Sequence, residues 1–252
     1  MNTSPTILIT GASSGIGAAL AVGYAAPGVT LLLIARNEAR LSAVATECRV
    51  RGAQVKTALL DVRDRDAMAA WITAADAATP IDLLIANAGI SAGGFAGHQA
   101  TAQSDEVFAV NVTGVLNSIH PLLARMVARG RGHIAIMSSL AGIRALPSAP
   151  AYSASKAAVR VYGDALRGEL KPHGIAVSVI CPGWITTPLV ATNDFPMPLI
   201  MSEKRAAAII MRNLCKKKSR IAFPLRLYIP LLILAALPNF LTDWMFNSLP
   251  GK

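Results

Sequence analysis

The stretch "AYSASKAAVRVYGDALRGEL", residues 151–170, places Tyr152 and Lys156 four positions apart in a helical pattern. Residues i and i+4 share one face of an α-helix, which brings a phenol within reach of an ammonium. A nearby positive charge favours phenolate, so the pair is expected to lower the tyrosine pKa from about 10 toward working pH. Its hydroxyl then becomes a usable proton donor and acceptor. A second chemically suggestive stretch, "TGASSGIG" (10–17), lies between an apolar run and a helical pattern. Its spacing is G-x-x-x-G-x-G. Gly11 is read as the tight-turn residue, Gly15 as the point where backbone approaches a pyrophosphate, and Gly17 as the site of close packing beside a helix N-terminus that favours anions.

Elements must position these groups. Apolar runs suited to buried parallel strands recur at 6–10, 29–35, 54–60, 81–86, 133–138 and 175–180. Ala-rich, helix-compatible stretches lie between them, at 15–26, 38–51, 64–78, 101–130 and 150–171. This alternation predicts right-handed βαβ units in a doubly wound parallel sheet, with ligands at the C-terminal ends of the strands. After about residue 183 the pattern changes.

Composition excludes several classes. Of 252 residues, 53% are hydrophobic and 15% charged, which predicts substantial burial rather than disorder. Cys48, Cys181 and Cys215 are widely separated, form no CxxC pair and offer no metal-ligand cluster, which fits a reducing compartment and no metal. The N-terminal apolar run is too short for a signal peptide, so a cytoplasmic protein is expected. The net charge of +10 is uneven: residues 1–203 carry 15 Lys/Arg against 13 Asp/Glu, and residues 204–252 carry 9 against Asp243 alone. That basic tail is interleaved with aliphatic residues and lacks a polar groove-reading element, which argues against nucleic acid.

Taken together, "TGASSGIG", "NAG" (87–89) and "YSASK" (152–156), in this order, resemble the short-chain dehydrogenase/reductase family over roughly residues 6–190. The resemblance implies a Rossmann-type sheet, with helices on both faces, that binds a nicotinamide dinucleotide. It implies cofactor contacts at Gly11, Ser13, Ser14, Gly15, Ile16 and Gly17. It further implies adenine contacts from Asp61 and Val62, with a helix cap as the alternative for Asp61, and a segment along the cofactor at Asn87, Ala88 and Gly89. At the family's usual acidic position, after the second strand, stands Ala35, followed by Arg36. A carboxylate there would repel a ribose 2′-phosphate, whereas a guanidinium pairs with it, so NADP(H) is favoured over NAD(H). Ser14 departs from the basic residue that many NADP-dependent relatives carry, which leaves Arg36 as the main carrier of that preference.

The same resemblance implies a catalytic set of Asn111, Ser139, Tyr152 and Lys156. Ser139 is chosen over Ser138 because it lies 13 residues before Tyr152, the family's separation, and because neighbours on a strand point to opposite faces. Asn111 is expected to hold a helix distortion and a proton-relaying water, with a buried Asn satisfying backbone as the alternative. Lys156 would also bind the nicotinamide ribose. In "CPGWITTP" (181–188), Pro182 and Gly183 match the family's segment beside the nicotinamide, with Ile185 and Thr187 as carboxamide contacts. The following stretch, containing Phe195, Met197 and Leu199, is expected to cover an apolar substrate. His98, His120, His133 and His173 receive no role, and surface or capping positions are expected for them.

The tail departs from the family. Pro224, Pro230, Pro238 and Arg226 divide it into pieces too short for a membrane span of about 20 residues. An interfacial attachment on the inner face of a membrane is one reading, with Trp244 and Tyr228 near headgroups and Lys216, Lys217, Lys218, Arg220 and Arg226 facing anionic lipid. A cap on the pocket or a homo-oligomer interface is the other. The expectation is a catalytic domain at 1–223, an apolar extension at 224–252, and a homodimer or homotetramer. The chain reads as an NADPH-dependent carbonyl reductase or alcohol dehydrogenase for a lipophilic ketone or alcohol. A catalytically silent NADP(H) sensor or membrane scaffold is the alternative.

Overall fold

Every residue of β1 (Thr6–Thr10) is buried, and its side chains alternate between two core layers: Ile7 and Ile9 enter one, Leu8 the other. β2 (Thr30–Ala35) repeats the pattern, sending Leu31 and Leu33 one way and Leu32 and Ile34 the other. Strands apolar on both faces must be covered on both sides, which is the condition for an internal parallel sheet. The structure, a computed structural model, describes residues 5–91, 98–145, 149–188, 197–238 and 240–242, and the side chains of 98–100 are not described.

Seven parallel strands run in the order β3-β2-β1-β4-β5-β6-β9, with β3 (Gln54–Leu59), β4 (Leu83–Ala86), β5 (Gly132–Met137), β6 (Ile175–Pro182) and β9 (Arg220–Phe223) joining the first two. A short ladder pairs β7 (Ile185–Thr186) with β8 (Met201–Ser202). One layer is covered by α1 (Gly15–Tyr24), α2 (Glu38–Val50) and α7 (Glu203–Cys215), the other by α3 (Arg65–Ala78), α5 (Gly114–Arg129) and α6 (Pro150–Leu170). Asn37 and Asp64 start α2 and α3 by accepting hydrogen bonds from the amides of Arg40 and Ala67, the usual way an N-terminal donor is satisfied. Because β1 pairs with both β2 and β4, strand order reverses there, and the crevice of a doubly wound sheet opens above that reversal.

The six expected strands are present. The expected helix over 101–130 is instead α4 (His98–Phe108), a π-helical turn at Ala109–Thr113, and α5. Thr101–Arg129 contains an 18-residue window of mean hydropathy 1.4, apolar enough to cross a membrane by composition, but half of that window is buried inside the fold. α7, β9 and α8 (Leu225–Ala236) lie beyond the expected pattern. α8 has 12 residues, about 18 Å of helix, well under a bilayer's apolar thickness.

His133 corrects the surface expectation: it is buried, its Nε2 lies 2.8 Å from Ser178 Oγ, and burial, with Lys217 assisting, pulls its pKa down to about 4. His120 is exposed beside Tyr162, and His173 precedes left-handed Gly174 at a helix end as expected.

Candidate active site

The site is assembled from loops at the C-terminal ends of the strands. After β1 the chain turns at Gly11, whose φ of 66° is left-handed and whose absent Cβ would lie 2.8 Å from Ala88 Cα. A Cβ on Gly17 would press into the Gly11 carbonyl and lie 2.6 Å from Asn87 Nδ2, so α1 sits directly on the turn. Asn87 fixes the far side by donating from Nδ2 to the carbonyl of Thr10 at 3.0 Å, while Thr10 Oγ1 accepts from the amides of Asn87 and Ala88. Ser14 occupies the N-cap of α1 without capping it through its side chain.

At the end of β2, Arg36 is about half exposed, and its Nη1 lies 3.4 Å from Asp61 Oδ2. Asp61 is held more closely by Arg63, at 2.6 Å, and that hydrogen bond keeps its carboxyl below the usual range. The cap beginning α3 is Asp64 rather than Asp61. Asn37 and Arg40 line the same end of the cleft. Arg40 stands in the stretch that carries Arg36 but lies one helical turn further on, so only the fold reveals that it shares this end.

β5 delivers the two serines to different partners. Ser138 Oγ donates to the carbonyl of Lys156 at 2.7 Å and is buried in the scaffold. Ser139 Oγ accepts from the Ala141 amide at 3.1 Å, and its hydroxyl lies near enough to that of Tyr152 to lower the phenol's pKa somewhat. The 3-10 turn at Leu140–Gly142 lies directly on α6, where a Cβ on Gly142 would be 2.6 Å from the carbonyl carbon of Lys156. Pro150 at the first position of α6 presets the backbone angle with which Tyr152 and Lys156 enter the site.

The Tyr152–Lys156 relation differs from the expectation. Lys156 Nζ lies 5.8 Å from the centroid of the Tyr152 ring and donates to the carbonyl of Met137 at 3.0 Å. Burial dominates both groups: it raises the phenol above 10, against a smaller lowering by Ser139, and pulls the ammonium down to about 8. Removing either charged form from water costs more than this separated geometry returns.

Asn111 is fully buried in the π-helical turn. Its Oδ1 accepts from the Ile90 amide at 2.8 Å, and Nδ2 donates to Ile90 O at 2.9 Å and Ser155 Oγ at 3.0 Å. The side chain satisfies backbone, as in the alternative reading, and it does so within the helix distortion that the first reading expected; it meets Lys156 only across Gly89, where both stand 3.1 Å from an imagined Cβ.

These groups share a cleft of about 1010 Å³, lined from Gly11, Ser13, Ser14, Gly15 and Ile16 past Arg36, Asp61 and Val62 to Asn87, Ala88 and Gly89. It continues past Ser139, Tyr152 and Lys156 to Pro182, Gly183, Ile185 and Thr187. Gly17 and Asn111 stand behind this lining. The far wall is lined by Arg144, Trp184, Arg226, Leu227, Pro230 and Leu231, so the first turns of the tail lie against the pocket, as the cap reading expected, while Arg144 and Trp184 were not singled out. Leu227 and Leu231 of α8 pack with Leu140 and Cys181, which brings the tail over the serine turn. Tyr228 packs there too, which corrects its placement at a lipid headgroup. Lys216, Lys217 and Lys218 precede β9 and α8 follows it, so about 13 Å of strand separates the lysines from the apolar helix. Arg220 is tied to Asp164 in the fold rather than free to face lipid. Phe195 and Trp244, named for covering substrate and meeting the membrane, lie outside the described residues.

A family model described as short chain dehydrogenase matches residues 5–195. An uncharacterized oxidoreductase of Myxococcus xanthus is 37% identical over 239 residues, covering 94% of both chains. The ketoacyl reductase HetN of Nostoc is 34% identical over 185 residues, 73% of this chain and 64% of that one. Among solved structures, a short-chain dehydrogenase from Sphingobium yanoikuyae in complex with NADPH superposes with TM-score 0.82 at 26% identity, covering 98% and 96% of the two chains. The bulky-bulky ketone specific alcohol dehydrogenase from Comamonas testosteroni gives 0.81 at 26% identity, covering 99% and 96%. This chain belongs to the short chain dehydrogenase family of oxidoreductases.

Proposed function

We propose that this chain is an NADPH-dependent carbonyl reductase, and in reverse an alcohol dehydrogenase, for a lipophilic ketone or alcohol of acyl, steroid-like or isoprenoid type. The observation that carries this reading is the Ser139–Tyr152 hydroxyl pair, set between a glycine turn at one end of the cleft and an apolar wall at the other. The turn fits a dinucleotide, because Gly11 and Gly17 pack too closely for any Cβ and leave the α1 N-terminus facing the cleft. Ser13, Ser14, Gly15 and Ile16 would hold the diphosphate, and Asp61 and Val62 the adenine. Asn87–Gly89, Pro182, Gly183, Ile185 and Thr187 would flank the nicotinamide.

NADP(H) is favoured over NAD(H) because Arg36 and Arg40 line the cleft at the end of β2, where Ala35 stands in place of an acidic residue. When bound, the reduced nicotinamide supplies hydride to the carbonyl carbon. Ser139 orients the carbonyl oxygen and stabilises the charge that builds there, and Tyr152 gives it a proton. Burial keeps the phenol protonated at neutral pH, the state a donor requires. Lys156, charged below about 8, favours the phenolate left behind. Asn111 acts by fixing Ile90 and Ser155 beside the reacting groups.

The apolar wall and the names of the Comamonas and Nostoc relatives favour a greasy carbonyl compound. Residues 224–252 form, in this reading, an extension of a catalytic unit at 1–223. Its outward apolar side chains, Leu225, Ile229, Ile233 and Phe240 among them, would meet a membrane surface or a second subunit. Substituting Ile229→Glu with Ile233→Glu distinguishes these: lost liposome flotation identifies a bilayer, and dissociation in sedimentation identifies a subunit interface.

Purified protein is expected to oxidise NADPH faster than NADH in the presence of apolar ketones. Dinucleotide binding with no turnover on any ketone would instead identify a sensor or scaffold and overturn the reading.

A further inference from the structure

Tyr152, Lys156, Arg160 and Asp164 stand at intervals of four along α6, so they follow one another down a single, slowly drifting face of the helix. Each meets a different segment. The Tyr152 hydroxyl lies near that of Ser139, and Lys156 Nζ donates to the carbonyl of Met137. Arg160 Nε donates to the carbonyl of Gly142 at 2.9 Å, and Asp164 Oδ2 pairs with Arg220 of β9. Arg160 Nη1 lies 3.7 Å from the same Asp164 oxygen, so one carboxylate holds both guanidinium groups.

Gly142 closes the 3-10 turn that Ser139 opens. A turn of three residues makes few hydrogen bonds of its own and leaves its last carbonyls in need of outside donors. Two contacts with α6 supply what it lacks. One is steric, since no Cβ fits between Gly142 and the Lys156 backbone. The other is Arg160, which reaches the Gly142 carbonyl from one helical turn beyond Lys156. Within the turn, the Gly142 amide donates to the carbonyl of Ser139 at 3.0 Å, and the Ala141 amide donates to Ser139 Oγ at 3.1 Å. The position of Gly142 therefore sets the direction of the amides that aim the Ser139 hydroxyl.

The Arg160 side chain is 26% exposed, and an ion pair so screened adds little to stability. What it fixes is direction: a planar guanidinium that gives Nε to a carbonyl and Nη1 to a carboxylate has one orientation. We propose that Arg160 is a positioning residue for the reduction: its guanidinium, aimed by Asp164 and through it by Arg220, holds Gly142 and thereby sets the Ser139 hydroxyl against the substrate oxygen. The proposal rests on the reductase reading above. It also ties the tail to the chemistry, because Arg220 lies in β9, the strand that leads into α8.

The test is a double-mutant cycle on the full chain, with Arg160→Met, Ser139→Ala and the two combined, read by kcat with an apolar ketone and by KM for NADPH. Arg160→Met is expected to lower kcat by about tenfold, as a small misplacement of a reacting group does, and to leave KM for NADPH within about twofold. On top of Ser139→Ala the same change should cost less than about twofold, because the hydroxyl it aims is gone. Arg160→Lys should recover part of the loss, and Asp164→Asn should show a smaller loss with the same dependence on Ser139. An equal loss in both backgrounds marks a group that only stabilises the fold and overturns the proposal, as does an unchanged kcat in Arg160→Met. Should Arg160→Met not fold, the cycle is run with Arg160→Lys and Asp164→Asn under the same criterion. If no ketone turns over in the unmodified chain, the reductase reading fails by itself. Positioning is then read from the titration of Tyr152, by phenolate absorbance against Tyr152→Phe. Ser139 lowers that phenol's pKa, so Arg160→Met should raise it, in the same direction as Ser139→Ala. A titration unmoved by Arg160→Met overturns the proposal.

Discussion

The two ends of the cleft are built from different materials. At the dinucleotide end the shape comes from backbone: a left-handed turn at Gly11, α1 seated on it at Gly17, and Asn87 fastening the turn to β4. At the substrate end the shape comes from side chains carried by segments far apart in sequence, with Leu140 and Arg144 meeting Leu227, Leu231 and Arg226. A backbone site tolerates no added atom but is indifferent to most side chains around it. A side-chain site can be recut for another compound while the sheet stays as it is. The comparison teaches where one fold is fixed and where its specificity is free to vary.

Four changes would break or sharpen that contrast, and Gly17→Ala should have the largest effect. Its new Cβ has nowhere to go between the Gly11 carbonyl and Asn87, so a loss of about 3 kcal/mol in denaturant unfolding and of dinucleotide binding is expected. Ser139→Ala should leave binding of the dinucleotide intact and lower kcat by about a hundredfold in steady-state assays, the cost of one donor at a developing oxyanion. Arg36→Glu should be milder and confined to one end. It is expected to reverse the NADPH-to-NADH ratio of kcat/KM by about tenfold or more, because a carboxylate repels the 2′-phosphate.

The smallest effect is a pH dependence. Burial holds Lys156 at about 8, so the ammonium is present below that value and lost above it. The kcat/KM for the dinucleotide, which reports the free enzyme, should therefore halve near pH 8 and fall further at higher pH.

The same contrast explains what was legible in the sequence. Glycines 11, 15 and 17, the NAG segment and the Tyr152–Lys156 spacing are local patterns, and the fold places them at one cleft, with Gly17 packed behind its lining. Ser139 could be separated from Ser138 by strand alternation, and the structure gives them different partners. The tail was harder to read because "RIAFPLRLYIPLLILAALP" is apolar but for Arg220 and Arg226, so β9 and α8 merge into one run whose boundary at Pro224 carries no periodicity of its own. Arg226 then looked like a surface charge, since nothing within its own segment reveals that Leu140 lies beside it. The charge expected to activate Tyr152 was also misjudged from spacing alone. An i,i+4 interval fixes a shared face but not where a long side chain ends, and Lys156 ends on the carbonyl of Met137.

The central claim is that the Tyr152 hydroxyl delivers the proton to the reduced carbonyl. Tyr152→Phe tests it most directly, with NADPH affinity and ketone turnover measured on the same preparation. The account predicts unchanged affinity and turnover reduced by about a thousandfold or more, since removing an essential general acid commonly costs 10²–10⁴. Turnover within about threefold of the unmodified chain would contradict it, leaving the phenol a packing group and the proton to come from elsewhere.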